Sequence, residues 1–151
     1  MLSLIGNADM YEYKCTIVKI VDGDTVDVDI DLGFDVWLKK QRIRLYGVDT
    51  PESRTRDKVE KVFGLLAKDF VSDRLPIGSK QVLRTKKDDS RGKFGRILGE
   101  FVHKKSTINQ LLVDTHNAVA YFGQSKEEIK QSHLDNRQLV KNCCEKGCCD
   151  G

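Results

Sequence analysis

Arg42-Ile43-Arg44-Leu45-Tyr46-Gly47-Val48-Asp49-Thr50-Pro51-Glu52 opens as a strand and ends as a rigid turn bearing two carboxylates. Ile43 and Leu45 share one parity, Arg42 and Arg44 the other, so one face is set for a core and the other for solvent or an anion. Gly47 relaxes the backbone and Pro51 stiffens its exit, leaving Asp49 and Glu52 three residues apart. Strict alternation would put Arg44 and Asp49 on opposite faces. Both reach one pocket only if the chain bulges or bends sharply at Gly47.

Upstream, Asp22-Gly23-Asp24-Thr25 reads as a turn, with Gly23 expected in the left-handed region and the aspartates capping local amides. It joins two strands. Tyr11 to Val21 is apolar on both parities, as in a strand covered on both faces. From Val26 the alternation is regular: Val26, Val28, Ile30 and Leu32 inward, Asp27, Asp29 and Asp31 outward as a solvated face. Gly33 to Lys40 is a wide connection whose Trp37 is expected to pack.

Downstream of the central strand, Ser53 to Glu60 reads as a mobile polar loop. Val62, Phe63, Leu66, Phe70 and Val71 then form a helical stripe ending near Leu75-Pro76, with Gly64 placed in the first turn. Lys80 to Thr85 and Phe94 to His103 are strands flanking a charged turn, Lys86 to Lys93. Thr107 to Asp114 is a short helix and Ala118 to Phe122 a short strand. The capping box Ser125-Lys126-Glu127-Glu128 opens a last helix. Strands, a helix, strands and then helices give an α+β fold with a small barrel as its sheet.

The chain has 151 residues, 39% hydrophobic and 32% charged, as in one soluble domain with its own core. Residues 1–10 are read as a flexible lead, 11–141 as the folded domain and 142–151 as a tail. The net charge of +3 is small, but its distribution is uneven. Six aspartates and no base lie between Asp22 and Asp35, and seven bases face Asp88 and Asp89 between Lys80 and Arg96. Charge alone fits equally two solvated faces or a cation-holding and an anion-holding pole. No apolar run approaches a membrane span, and the N-terminus lacks a signal-peptide pattern. Of five cysteines, four crowd the end as Cys143, Cys144, Cys148 and Cys149. That is no disulfide framework, so an intracellular, reducing location is expected, with a disordered reduced tail and soft-metal binding as its alternative. A monomer is expected, with no membrane partner. His103, His116 and His133 are scattered and receive no role.

Asp24 and Asp49 sit at turns, and with the Thr50 backbone carbonyl and water they suit Ca²⁺ or Mg²⁺. Each alone reads equally as a turn cap. Glu52 could serve as general base for an attacking water, or be a solvated loop glutamate. Arg44 and Arg96 could grip phosphate and neutralise charge building on it, or pair with Asp27 or Glu100. Together these residues suggest metal-assisted phosphodiester cleavage.

Val21-Asp22-Gly23-Asp24-Thr25-Val26, Ile43 to Glu52 and Lys93-Phe94-Gly95-Arg96 closely resemble the staphylococcal nuclease family in order and spacing, over roughly residues 14 to 135. The resemblance implies a five-stranded OB-fold barrel with about three helices and Ca²⁺-dependent hydrolysis of DNA or RNA. It implies cleavage at P–O5′ that leaves 3′-phosphates. It assigns Asp24, Asp49 and the Thr50 carbonyl to calcium, Glu52 to the general base, and Arg44 and Arg96 to transition-state stabilisation. Lys93, Phe94 and Tyr121 fall to substrate binding. Phe94 stands where well-known members carry tyrosine, and Leu65 replaces the family's usual glutamate after the helix-opening glycine. Two other readings remain: an OB module that binds nucleic acid or protein without cutting, and a phosphodiesterase for a small nucleotide. The basic segment Thr85 to Lys93 favours a polymer over the latter.

Overall fold

The computed structural model describes residues 10–86 and 97–145, with side chains for 11–85 and 97–140. Five strands carry the barrel: β1 (Met10–Asp22), β2 (Thr25–Asp31), β3 (Trp37–Leu45), β5 (Lys80–Lys86) and β6 (Ile97–His103). Two-residue strands β4 (Val48–Asp49) and β8 (Val119–Ala120) pair beside it, and β7 (Ser106–Thr107) turns back on β6. The helices are α1 (Lys58–Arg74), α2 (Ile108–Asp114) and α3 (Lys126–Glu145). Strand order is β3-β2-β1-β5-β6, antiparallel until parallel pairing of Ile43–Leu45 with Ile97–Gly99 closes the barrel. The result is the α+β closed five-stranded barrel with three helices expected of an OB fold.

Alternation fills the interior. Val26, Val28 and Ile30 of β2, Ile43 and Leu45 of β3, Leu83 and Phe101 are all buried. Each such side chain contributes roughly 1.5–3 kcal/mol by leaving water. β1 is apolar on both parities, and at its end Ile20, Val21 and Asp22 are all buried, where a register slip also contributes. Its register against β2 slips between Ile17 and Lys19 and again between Ile20 and Asp22. The inward parity therefore shifts from Cys15 and Ile17 to Ile20, and Val21 and Asp22 are carried inside as well.

Several local expectations change. Leu32 and Trp37 are each 39% exposed at the β2–β3 turn, where Gly33, Phe34 and Asp35 all have positive φ and lift the chain off the core. Trp37 carries Lys39 over its ring at 5.2 Å instead of packing inside. Gly23 is not left-handed; a Cβ there would meet Ala67 Cβ at 2.8 Å, so close approach of α1 is what requires glycine.

The helix also starts earlier than the apolar stripe suggests. Asp57 caps α1 by accepting from the Val59 and Glu60 amides, both at 3.0 Å. Those bonds, the Glu60 one foremost, hold its carboxyl below the usual carboxylate range. The buried face is Gly64, Ala67 and Val71, whereas Val62 and Leu66 are exposed. Gly64 therefore lies inside the helix and not in its first turn, for reasons that concern the site.

β6 and the short helices follow expectation. Thr107 caps α2 through the Gln110 amide, and Ser125 and Glu128 exchange the two bonds of a capping box. α3 continues to Glu145, past the point at which the tail was expected to begin. Residues 1–9, 87–96 and 146–151 lie outside the described residues, and with them most of the expected charged turn Lys86 to Lys93, the expected start of a strand at Phe94, and the cysteines at 148 and 149. Among the described residues no helix is long and apolar enough to cross a membrane.

Candidate active site

The turn between β1 and β2 presents Asp24, and β3 presents Arg44 beside it in register with Thr25. The bend at residues 46–47 then brings Asp49 round. Gly47 takes φ of 77°, Tyr46 N–H donates to the Gly99 carbonyl at 2.8 Å, and Asn109 Nδ2 donates to the Tyr46 carbonyl at 2.9 Å. Arg44 Nη1 reaches across the bend to the carbonyls of Leu45 (3.0 Å) and Val48 (2.8 Å). Its Nη2 stands 3.5 Å from Asp24 Oδ2 and 3.6 Å from Asp49 Oδ1. The bend thus overcomes strict alternation, and one guanidinium lies between two carboxylates.

Thr50 follows, buried, with its amide donating to Asp24 Oδ2 at 3.3 Å. Glu52 is held by its neighbours' backbone. The Ser53 amide and hydroxyl both donate to buried Asp22 Oδ1, fastening the loop to the end of β1. Beneath, α1 passes so close that a Cβ on Gly64 would lie 2.3 Å from the Glu52 carbonyl oxygen. The segment after Pro51 is therefore pinned, not the free loop its polarity suggested. Partial burial, and then the charges of Asp22, Asp24, Asp49 and Glu60, push the Glu52 carboxyl above its ordinary range.

Asp24, Arg44, Asp49 and Glu52 all line one cleft of about 470 Å³, together with Arg42 and Arg54. Arg42 is committed to Asp27 through two bonds of 2.9 and 3.1 Å, whereas Arg54 makes no ion pair among the described residues. Tyr121 is 45% exposed and donates its amide to the Gly47 carbonyl at 2.8 Å. It lines two further clefts that also touch Asp49, one of about 590 Å³ shared with Arg44, Tyr46 and Phe122, and one of about 560 Å³ against α3. Lys93, Phe94 and Arg96 lie outside the described residues.

The donor set fits a hard cation. Asp24 and Asp49 flank a single guanidinium nitrogen, and the carboxylates around Glu52 leave negative charge that a cation would offset. Among the described residues no three Asp, Glu, His or Cys side chains close around a metal by themselves. Carbonyl and water ligands would have to complete the shell.

Four participants escape a reading of the sequence. Asp22 and Ser53 anchor the loop from inside, a contact for which only the register slip of β1 gives a reason. Arg54 enters the cleft from a segment read as solvent loop. His133 Nε2 lies 2.7 Å from Asp49 Oδ2, a contact the sequence reading, which gave this histidine no role, did not anticipate; the only sequence signal was its place one turn beyond Ile129.

The family model described as "Staphylococcal nuclease homologue" matches residues 42–142, which takes in the end of β3, the bend, Glu52 and all three helices up to position 142. The chain belongs to the staphylococcal nuclease family. A thermonuclease of Staphylococcus hyicus is 30% identical over 143 residues, covering 91% of this chain and 78% of the relative. An uncharacterized protein of Methanocaldococcus jannaschii is 31% identical over 149 residues, covering 85% of this chain and 68% of the relative. Within this staphylococcal nuclease homologue, Arg44, Asp49, Thr50 and Glu52 fall in the matched segment, and Asp24 lies upstream of it.

Proposed function

We propose that the chain is a Ca²⁺-dependent nuclease hydrolysing the phosphodiester bonds of DNA or RNA, acting as a monomer through residues 11–141. The convergence of Asp24, Arg44, Asp49 and Glu52 on one cleft, far smaller than a polymer substrate, supports this reading most. The similarity to a thermonuclease points the same way. The absence of a disulfide framework in the sequence favours an intracellular setting.

Asp24, Asp49 and the Thr50 carbonyl would hold Ca²⁺, which takes about six to eight oxygen ligands, leaving the remainder to water and a phosphate oxygen. Bound there, the cation supplies Lewis-acid neutralisation of the phosphate. Glu52 accepts a proton from the attacking water, and its raised affinity for protons suits a base working on so weak an acid. Arg44 spends Nη1 on the Leu45 and Val48 carbonyls, so Nη2, which makes only long ion pairs to the two carboxylates, and Nε are the donors that would meet the phosphate oxygens as charge grows on them. Arg96 is assigned the same duty by the family resemblance. Lys93, Phe94 and Tyr121 are assigned to holding the nucleotide. Breaking P–O5′ leaves a 3′-phosphate on one product and a 5′-hydroxyl on the other.

The test is digestion of end-labelled single-stranded DNA and RNA with Ca²⁺, with chelator, and with Glu52→Gln. Shortened fragments bearing 3′-phosphates are expected only with Ca²⁺, and a kcat lower by ~10²–10⁴ in Glu52→Gln. Undiminished cutting in chelator or in the variant overturns the mechanism. Gel retardation without shortening would instead identify a binding module.

A further inference from the structure

Asp49 is constrained at both oxygens. Oδ1 faces Arg44 Nη2 at 3.6 Å, and Oδ2 is met by His133 Nε2 at 2.7 Å. An ionised carboxylate only accepts, so Nε2 carries the shared hydrogen. The imidazole has no alternative occupation: its side chain is 13% exposed, and Nδ1 is buried without a hydrogen-bond partner among the described residues. Among the described residues its one hydrogen-bond partner is the site aspartate.

α3, which carries His133, is seated differently from the other helices. None of residues 126–140 is buried, whereas α1 and α2 each bury several. The half-buried face of α3 is largely polar. Asn136 donates to the Ala118 carbonyl at 3.2 Å, Arg137 lies over the Phe63 ring at 5.5 Å, and His133 meets Asp49. Over residues 126–140 no side chain of the helix is fully buried, so a short bond to a site carboxylate adds to its attachment.

We propose that His133 is a positioning residue for Asp49, and that it makes the seating of α3 and the binding of a divalent cation depend on each other. The inference rests on the reading of Asp49 as a cation ligand. A ligating carboxylate must keep one oxygen at a fixed point. The imidazole holds the other oxygen and so stops the group from rotating away, and outer-shell partners of this kind typically carry ~10–100-fold in metal affinity. By linkage, whatever His133 contributes to cation affinity the cation returns to the attachment of α3.

The experiment uses the full chain as wild type, His133→Ala and His133→Gln. Ca²⁺ is titrated calorimetrically, and amide hydrogen exchange is followed over residues 126–140 with and without Ca²⁺. Expected results are a Ca²⁺ affinity weaker by ~10–100-fold in His133→Ala and largely recovered in His133→Gln, whose amide can donate to the same oxygen. Ca²⁺ slows exchange in α3 of the wild type and not of His133→Ala. Ca²⁺ affinity in His133→Ala within about twofold of wild type, with equal protection of α3, overturns the inference and leaves the proposed nuclease site standing. Wild type that takes no Ca²⁺ overturns both. Should His133→Ala fail to fold, His133→Gln and the wild-type exchange pattern decide: near-wild-type Ca²⁺ affinity in His133→Gln together with slower α3 exchange on adding Ca²⁺ supports positioning, and unchanged α3 exchange or a Gln variant weakened about tenfold refutes it.

Discussion

Gly64→Ala tests whether Glu52 is placed by the helix beneath it. The added Cβ would lie 2.3 Å from the Glu52 carbonyl oxygen, 2.4 Å from its carbonyl carbon and 2.6 Å from the Ser53 nitrogen. All three are backbone atoms, so no flexible side chain can yield. Restoring ordinary contact at 3.4 Å requires α1 and the 52–53 segment to separate by about 1 Å. Overpacking of this kind costs ~1–3 kcal/mol, and replacing glycine by alanine inside a helix returns ~1 kcal/mol. The net loss is therefore ~0–2 kcal/mol, a fall in Tm of up to ~8 °C for a chain of this length. Activity should suffer far more, because displacing a reacting group by ~1 Å can cost ~10²-fold. The assay is kcat on a fluorogenic single-stranded oligonucleotide in saturating Ca²⁺, beside a thermal melt. Wild-type kcat in Gly64→Ala would refute the claim that this crossing positions the base.

Three further outcomes follow from the packing and the cleft. Asn109→Ala removes the bonds to the Tyr46 and Gly99 carbonyls and from the Phe101 amide; the Gly99 carbonyl keeps the Tyr46 amide as donor, so the loss should be ~1–3 kcal/mol in all, and the urea midpoint should fall and cleavage with it as the bend loosens. Burial pushes the Cys15 thiol up from 9.0 to about 11, so the native state keeps its proton where the unfolded chain releases it. Between those values stability should decline as pH rises, and the wild-type decline should exceed that of Cys15→Ala in parallel chemical melts. Arg54→Ala should raise KM for an oligonucleotide by ~2–10-fold and leave kcat within about twofold, since the side chain lines the cleft without pairing into it; an unchanged KM and a lowered kcat would contradict that.

The barrel strands and the acidic turns were legible because period-two alternation and turn chemistry are local. Val26 to Ile30 and Ile43 to Leu45 needed only parity, and the bend at Gly47 was demanded by geometry before it was seen. What stayed hidden depended on contacts between distant segments. The slips of β1 against β2 turn one apolar parity into another, which no single strand announces. On α1 the apolar stripe reached buried Val71 but missed Gly64 and Ala67, whose small volume matters only once the Glu52 segment and Gly23 lie against them. Large apolar side chains drew the stripe elsewhere, to Val62 and Leu66, which face outward. Trp37 is lifted clear by three successive residues of positive φ, two of them not glycine. His133 found its partner through tertiary approach alone.

The parallel seam between β3 and β6 joins segments that neither a hairpin nor a helix brings together, so its loop-closure entropy must be met before its bonds reward it. The same seam supports the bend: Gly99, which pairs with Leu45, also accepts the Tyr46 amide. During refolding the β1–β2–β3 meander can form from neighbouring residues while Asp49 still swings free. Competence to cut should consequently trail the recovery of strand signal, emerging only with the slow phase in which the last edge zips shut.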